Sequence, residues 1–124
     1  MFWRPWHFST TSEAKGTPTA VLIAIAIPVF TGQLEKARES ADAANIRSKY
    51  AEVMVDVISD GTTDKTETVQ LGQQQAGWQN TEISTGLSKL ATDDVTISSN
   101  NPTANGTATI TYTASTGKVN IEIA

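Results

Sequence analysis

Polar and apolar positions change rhythm twice along this chain. From Ala20 to Phe30 the eleven residues "AVLIAIAIPVF" are apolar on every side. From Gly32 to about Ser59 apolar residues recur at spacings of three and four, the period of a helix with one sheltered side. After Gly61 the spacing drops to two. "TETVQL" (66–71), "VTIS" (95–98), "TATITYTA" (107–114) and "KVNIEI" (118–123) each set apolar residues on one face and Thr, Asn or Glu on the other.

Thr17 and Pro18 supply a helix start: a capping hydroxyl, then a proline where its missing N–H costs nothing. "SDG" (59–61) is a stop, with Gly61 suited to a left-handed residue beyond the C-cap. A helix from Thr19 to Ser59 would hold about 40 residues and run roughly 60 Å at 1.5 Å per residue. Inside it, Pro28 removes one ladder bond and Gly32 weakens the next turn, so a local break is expected there.

In the amphipathic half, Leu34, Ala37, Ala41, Ala44, Ala51, Met54 and Ile58 form one stripe, and Ile46, Tyr50, Val53 and Val57 widen it toward the C-terminal end. The wide part suits a sheet, and the thin alanine-lined part suits the close approach of another helix. Glu35, Lys36, Arg38, Glu39, Asp42, Arg47, Lys49 and Glu52 are assigned to the opposite, solvated side.

The four strands each show one apolar face, which predicts a sheet covered on one side. "STG" (115–117) joins the last two as a short hairpin loop with Gly117 at positive φ. "QQQAGWQNTEISTGLSKLATDD" between the first two strands reads as loop, with a helical turn at "GLSKLA" and Trp78 over the edge of the core. The expected fold is α+β: one long N-terminal helix packed through its second half on a four-stranded antiparallel meander. The expected divisions are an atypical, disordered leader (1–16), the helix (17–60, apolar over 17–31 and amphipathic over 32–60), and an antiparallel β domain (61–124).

Composition narrows the functional classes. The 124 residues carry a net charge of −4, with nine Lys and Arg scattered along the chain, so no basic field of the kind nucleic acids require is formed. The absence of cysteine removes disulfides and thiolate metal sites. The one histidine, His7, lies in "MFWRPWHF", which holds two of the three Trp and two of the three Phe. No Ser/His/Asp set, phosphate-binding glycine loop or carboxylate pair stands out, so an enzyme is not expected. Asp93-Asp94, with Asp60 and Asp64, is read as loop capping rather than a Ca²⁺ site, and Asn105-Gly106-Thr107 as turn chemistry rather than a glycosylation site. No metal and no cofactor is expected.

The segment "IAIPVFTGQLEKARESADAANIRSKYAEVM" (25–54), an Ala/Ile-rich run ending in Ile-Pro before an amphipathic helix with Ala-Asn-Ile-Arg, resembles type IV pilins and their type II secretion pseudopilin and competence relatives. The resemblance covers the helix from Ala24 to about Tyr50. It implies a structural subunit of an extracellular cell-surface filament of bacteria. The apolar half of the helix would lie in the inner (cytoplasmic) membrane before assembly and pack against copies of itself afterwards, as a homo-oligomer.

The assembly interface it implies is Val21, Leu22, Ile23, Ile25, Ile27, Pro28, Val29, Phe30, Leu34, Ala37 and Ala41. Burying the seven large residues between Val21 and Phe30 is worth on the order of 10–20 kcal/mol gross, before ordering costs. The family's processing Gly, N-terminal aromatic and assembly Glu would fall at Trp6, His7 and Thr11, which do not match. The first ~20 residues are therefore expected to stand in place of a family leader and half of its membrane segment. The alternatives within the family are a pseudopilin or a competence (DNA-uptake) pilin, although DNA is not an expected partner. From another class, the alternative is a secreted soluble binding domain.

Overall fold

In the computed structural model, backbone is described from Gly16 onward and side chains from Thr31 onward. The expectations for the leader 1–15, for His7, and for the side chains of Val21, Leu22, Ile23, Ile25, Ile27, Pro28, Val29 and Phe30 lie outside the described residues. The chain divides into two units, Met1–Leu34 and Glu35–Ala124. The hydrophobic core lies in the second.

The elements in chain order are α1 (Gly16–Ser59), β1 (Lys65–Gln70), α2 (Thr81–Ser88), β2 (Val95–Asn100), β3 (Thr107–Thr113) and β4 (Lys118–Ile123). The four strands form one sheet in the order β1-β3-β4-β2. β1 pairs antiparallel with β3, from Lys65 opposite Tyr112 to Gln70 opposite Thr107. β3 and β4 are the antiparallel hairpin, with Ile110 opposite Ile121. β2 pairs parallel with β4, from Val95 beside Val119 to Asn100 beside Ile123, with a register shift between Ile97 and Ser99.

The sheet is therefore mixed, and the expected long helix on a four-stranded antiparallel meander is corrected. Alternating side chains report which face of a strand is covered, but they carry no information about its direction or neighbour. The connection from β1 to β2 is long enough to hold α2, and it carries the chain to the far edge, beside β4. The helical content of that connection is corrected as well. A second helix, α2, begins at Thr81, ahead of the turn expected at "GLSKLA". Asn80 caps α2 by accepting the N–H of Glu82 at 3.0 Å.

One face of the sheet closes the core. Ala108, Ile110 and Tyr112 from β3, Val119, Ile121 and Ile123 from β4, Val69 from β1 and Val95 from β2 are buried with Ala43, Ile46 and Val53 of α1 and Leu87 of α2. Tyr50, Met54, Val57 and Trp78 pack against this cluster half-buried, and the Trp78 indole N–H donates to Asn100 Oδ1 at 2.7 Å. The opposite face of β3 carries Thr107, Thr109, Thr111 and Thr113, none of them buried.

Gly117 has φ +70 in the β3–β4 loop, as its place in "STG" requires. Gly61 is not left-handed. It sits in a tight place instead, since a Cβ there would lie 3.0 Å from the carbonyl oxygen of Val57 and 3.2 Å from the hydroxyl of Tyr112.

Candidate functional site

The helix turns toward its sheet a different side from the one its alanines suggest. The buried line along α1 is Glu35, Glu39, Asp42, Ala43, Ile46 and Val53, continued by half-buried Tyr50 and Val57. Glu35, Glu39 and Asp42 were assigned to the solvated side and are corrected: they are 3%, 0% and 3% exposed. The stripe Leu34, Ala37, Ala41, Ala44, Ala51 and Ile58 faces outward, and only Met54 of that set is half-buried. Ile58 is 81% exposed, and Val55, on the same side, is 61% exposed.

The three buried carboxylates have a common use. Spacings of four and three put them in line on one side of the helix, where they meet the loop from Gly72 to Asn80. Asp42 accepts the N–H of Gly72 on Oδ1 (2.8 Å) and of Gln73 on Oδ2 (2.9 Å). Glu35 Oε1 accepts those of Gln74 (2.7 Å) and Gln75 (2.9 Å). Glu39 accepts the N–H of Gln79 on Oε1 (2.7 Å) and of Asn80 on Oε2 (2.9 Å). The loop has no strand partner for these amides, and buried N–H groups left unpaired are costly. Charged acceptors make the strongest available replacement.

Glu35 Oε2 also receives Arg38 Nη1 at 3.2 Å. Burial opposes the charge on Glu35, yet the N–H groups of Gln75 and Gln74 and the Arg38 guanidinium outweigh it, so its pKa lies below the ordinary carboxylate value. Within the loop, the buried Gln73 amide donates to the carbonyls of Gln75 (2.8 Å) and Gly77 (3.1 Å), and its Oε1 has no partner among the described residues.

These acids escaped the sequence reading because charged residues are rarely buried without partners. The available signal was their phase. Glu35, Glu39 and Asp42 continue the period of Ile46, Tyr50 and Val53, and they precede a Gln-rich loop with no periodicity of its own.

The outward side of α1 borders an open groove of about 430 Å³ lined by Ser48, Ala51, Glu52, Val55, Asp56 and Glu67. Its carboxylates are partly answered by lysines: Lys49 lies 2.8 Å from Glu52 and 3.7 Å from Glu67, and Lys65 lies 3.7 Å from Asp56. Of the implied assembly residues with described side chains, Leu34 is 39% exposed and Ala37 and Ala41 are exposed.

The other acids singled out by sequence are held in their loops. Asp60 accepts the N–H of Thr62 at 3.2 Å, Asp64 accepts that of Ala114 at 2.7 Å, and Lys118 bonds the carbonyl of Asp93 at 2.8 Å. Asn105 takes φ +53 in its turn. Among the described residues no group of three or more His, Cys, Asp or Glu converges as a metal-binding cluster, and no helix is long and apolar enough to cross a membrane. Compared with protein-family models, with curated proteins and with solved structures, the chain finds no match.

Proposed function

We propose that this chain is a structural subunit of a type IV pilus-like extracellular filament, polymerising with copies of itself through the apolar N-terminal part of its helix and held in a membrane beforehand. Two sequence features support the reading: the all-round apolar run from Ala20 to Phe30 and the pilin-like segment 25–54. The observation that carries it is the outward stripe of the amphipathic half, in which Leu34, Ala37, Ala41, Ala44, Ala51 and Ile58 are exposed while the sheet is served by another side of the helix. Apolar residues grouped on one exposed face suit an interaction surface.

The test is removal of Met1–Phe30. The intact chain, released from detergent, is expected to form sedimentable fibres visible by negative-stain electron microscopy. The truncated chain is expected to form no fibres, with an unchanged β-sheet circular dichroism signal. Fibres formed equally by both chains, or an intact chain that remains monomeric, would overturn the proposal.

A further inference from the structure

Of the asparagines in this chain, Asn105 alone is followed by glycine. An asparagine in that setting is chemically labile, because no side chain shields the next backbone nitrogen from its amide carbon. The fold cannot remove the liability by replacing the glycine. A Cβ on Gly106 would overlap the carbonyl oxygen of Ala124 and lie 2.7 Å from Thr103 Oγ1. Asn105 is itself exposed to water and takes φ +53, a backbone conformation that asparagine tolerates.

Both reacting groups are engaged in the fold. The N–H of Gly106 donates to the carbonyl of Thr103 at 3.0 Å. The Asn105 side chain is held at both ends by one partner: Oδ1 accepts from Gln74 Nε2 at 2.7 Å, and Nδ2 donates to Gln74 Oε1 at 3.5 Å. The turn is tied to the same loop through the backbone, with the N–H of Asn105 on the carbonyl of Gln73 (2.8 Å) and the N–H of Leu71 on that of Gly106 (2.9 Å). Gln73 and Gln74 are in turn held from α1 by Asp42 and Glu35. The buried carboxylates thus reach Asn105 through a single intervening residue.

We propose that Asn105–Gly106 is a self-deamidating site, kept intact by Gln74 while the loop from Gly72 to Asn80 is held on α1, and that its conversion releases that loop irreversibly. The Gly106 nitrogen loses its proton and bonds to Asn105 Cγ. The Cγ–Nδ2 bond breaks, and the amide nitrogen leaves as ammonia with that proton. Water then opens the cyclic imide at one carbonyl or the other, giving aspartate or its β-linked isomer. Either product lacks the Nδ2 donor and turns a negative charge toward Gln74 Oε1. The β-linked product also lengthens the backbone between the hydrogen bonds to Gln73 and Leu71.

The test incubates the full chain in detergent micelles at neutral pH, folded or in urea, and follows the tryptic peptide Leu90–Lys118 by mass spectrometry. That peptide also holds Asn101, which cannot cyclise because Pro102 has no backbone N–H, and which serves as the internal control. Conversion at Asn105 is expected to be about tenfold faster in urea than in the fold, where opening must come first. Gln74→Ala and Glu35→Gln should each speed conversion of the folded chain about fivefold, since each removes a hydrogen bond that opposes opening of the loop. Asn105→Asp, which imitates one product, should speed hydrogen exchange at the N–H groups of Gln74 and Gln75.

Equal conversion in the fold and in urea, a folded rate indifferent to both Gln74→Ala and Glu35→Gln, or unchanged exchange in Asn105→Asp would each overturn the proposal. So would faster exchange throughout β3 and β4 in Gln74→Ala, which would make the effect a general loss of stability and not the opening of this loop.

Discussion

Glu39 and Asn80 are joined by one hydrogen bond, from the backbone N–H of Asn80 to Glu39 Oε2 at 2.9 Å, and Asn80 is the residue that caps α2. A fully buried carboxylate on one helix thus sets where the next helix begins. Its other oxygen holds Gln79. With Asp42 and Glu35 doing the same for four more amides, α1 acts as the missing strand for a loop that has none.

Glu39→Gln tests this latch. The amide has one acceptor oxygen where the carboxylate has two, and its NH₂ group would be turned toward a backbone donor. A loss of about 2–3 kcal/mol is expected, since hydrogen bonds to charged groups contribute about 1.5–3 kcal/mol each and a part-buried donor is left unpaired. The readout is the urea midpoint at constant m-value. Hydrogen exchange at Gln79 and Asn80 should accelerate with it.

Glu35 gives the latch a pH dependence. Its folded pKa lies below the ordinary 4.5, so the folded state binds this proton less readily than the unfolded chain. The stability it contributes is complete above the unfolded value and falls away as pH drops through the folded one. Denaturation midpoints measured from pH 6 down to pH 3 should therefore decline below about pH 4.5. Glu35→Gln should make that decline shallower, while lowering stability at pH 6. An equally steep decline in the variant would assign the acid sensitivity to other carboxylates.

Two isoleucines on one helix should behave oppositely. Ile46 is fully buried between α1 and the sheet, and Ile58 is 81% exposed. Ile46→Ala should cost about 3 kcal/mol, within the range for cavity-forming core substitutions, whereas Ile58→Ala should change folding stability by less than about 0.5 kcal/mol. Urea unfolding of the two variants separates the packed side of the helix from its exposed side.

The strands could be located before the structure because period-two patterning is a local property. Val119, Ile121 and Ile123 had to share one face of their strand, and the β3–β4 hairpin followed from "STG" with Gly117. The direction of β2 was not local. Its "VTIS" pattern fits a parallel or an antiparallel neighbour equally well, and only the course of the preceding connection brings it alongside β4. The candidate site divides in the same way. In sequence the alanines suit the approach of another helix, while Ile46, Tyr50, Val53 and Val57 read as an extension of their stripe rather than as a separate side that faces the sheet.

From residue order come the element positions, the covered face of each strand and the apolar run from Ala20 to Phe30, because these depend on spacing along one backbone. The fold alone decided the mixed sheet order, the burial of Glu35, Glu39 and Asp42, and which side of α1 remains outside. Each of these depends on which distant segment arrives as a partner. A carboxylate reads as solvated until six loop amides converge on it and its two neighbours, and those amides are 30 to 41 residues away along the chain.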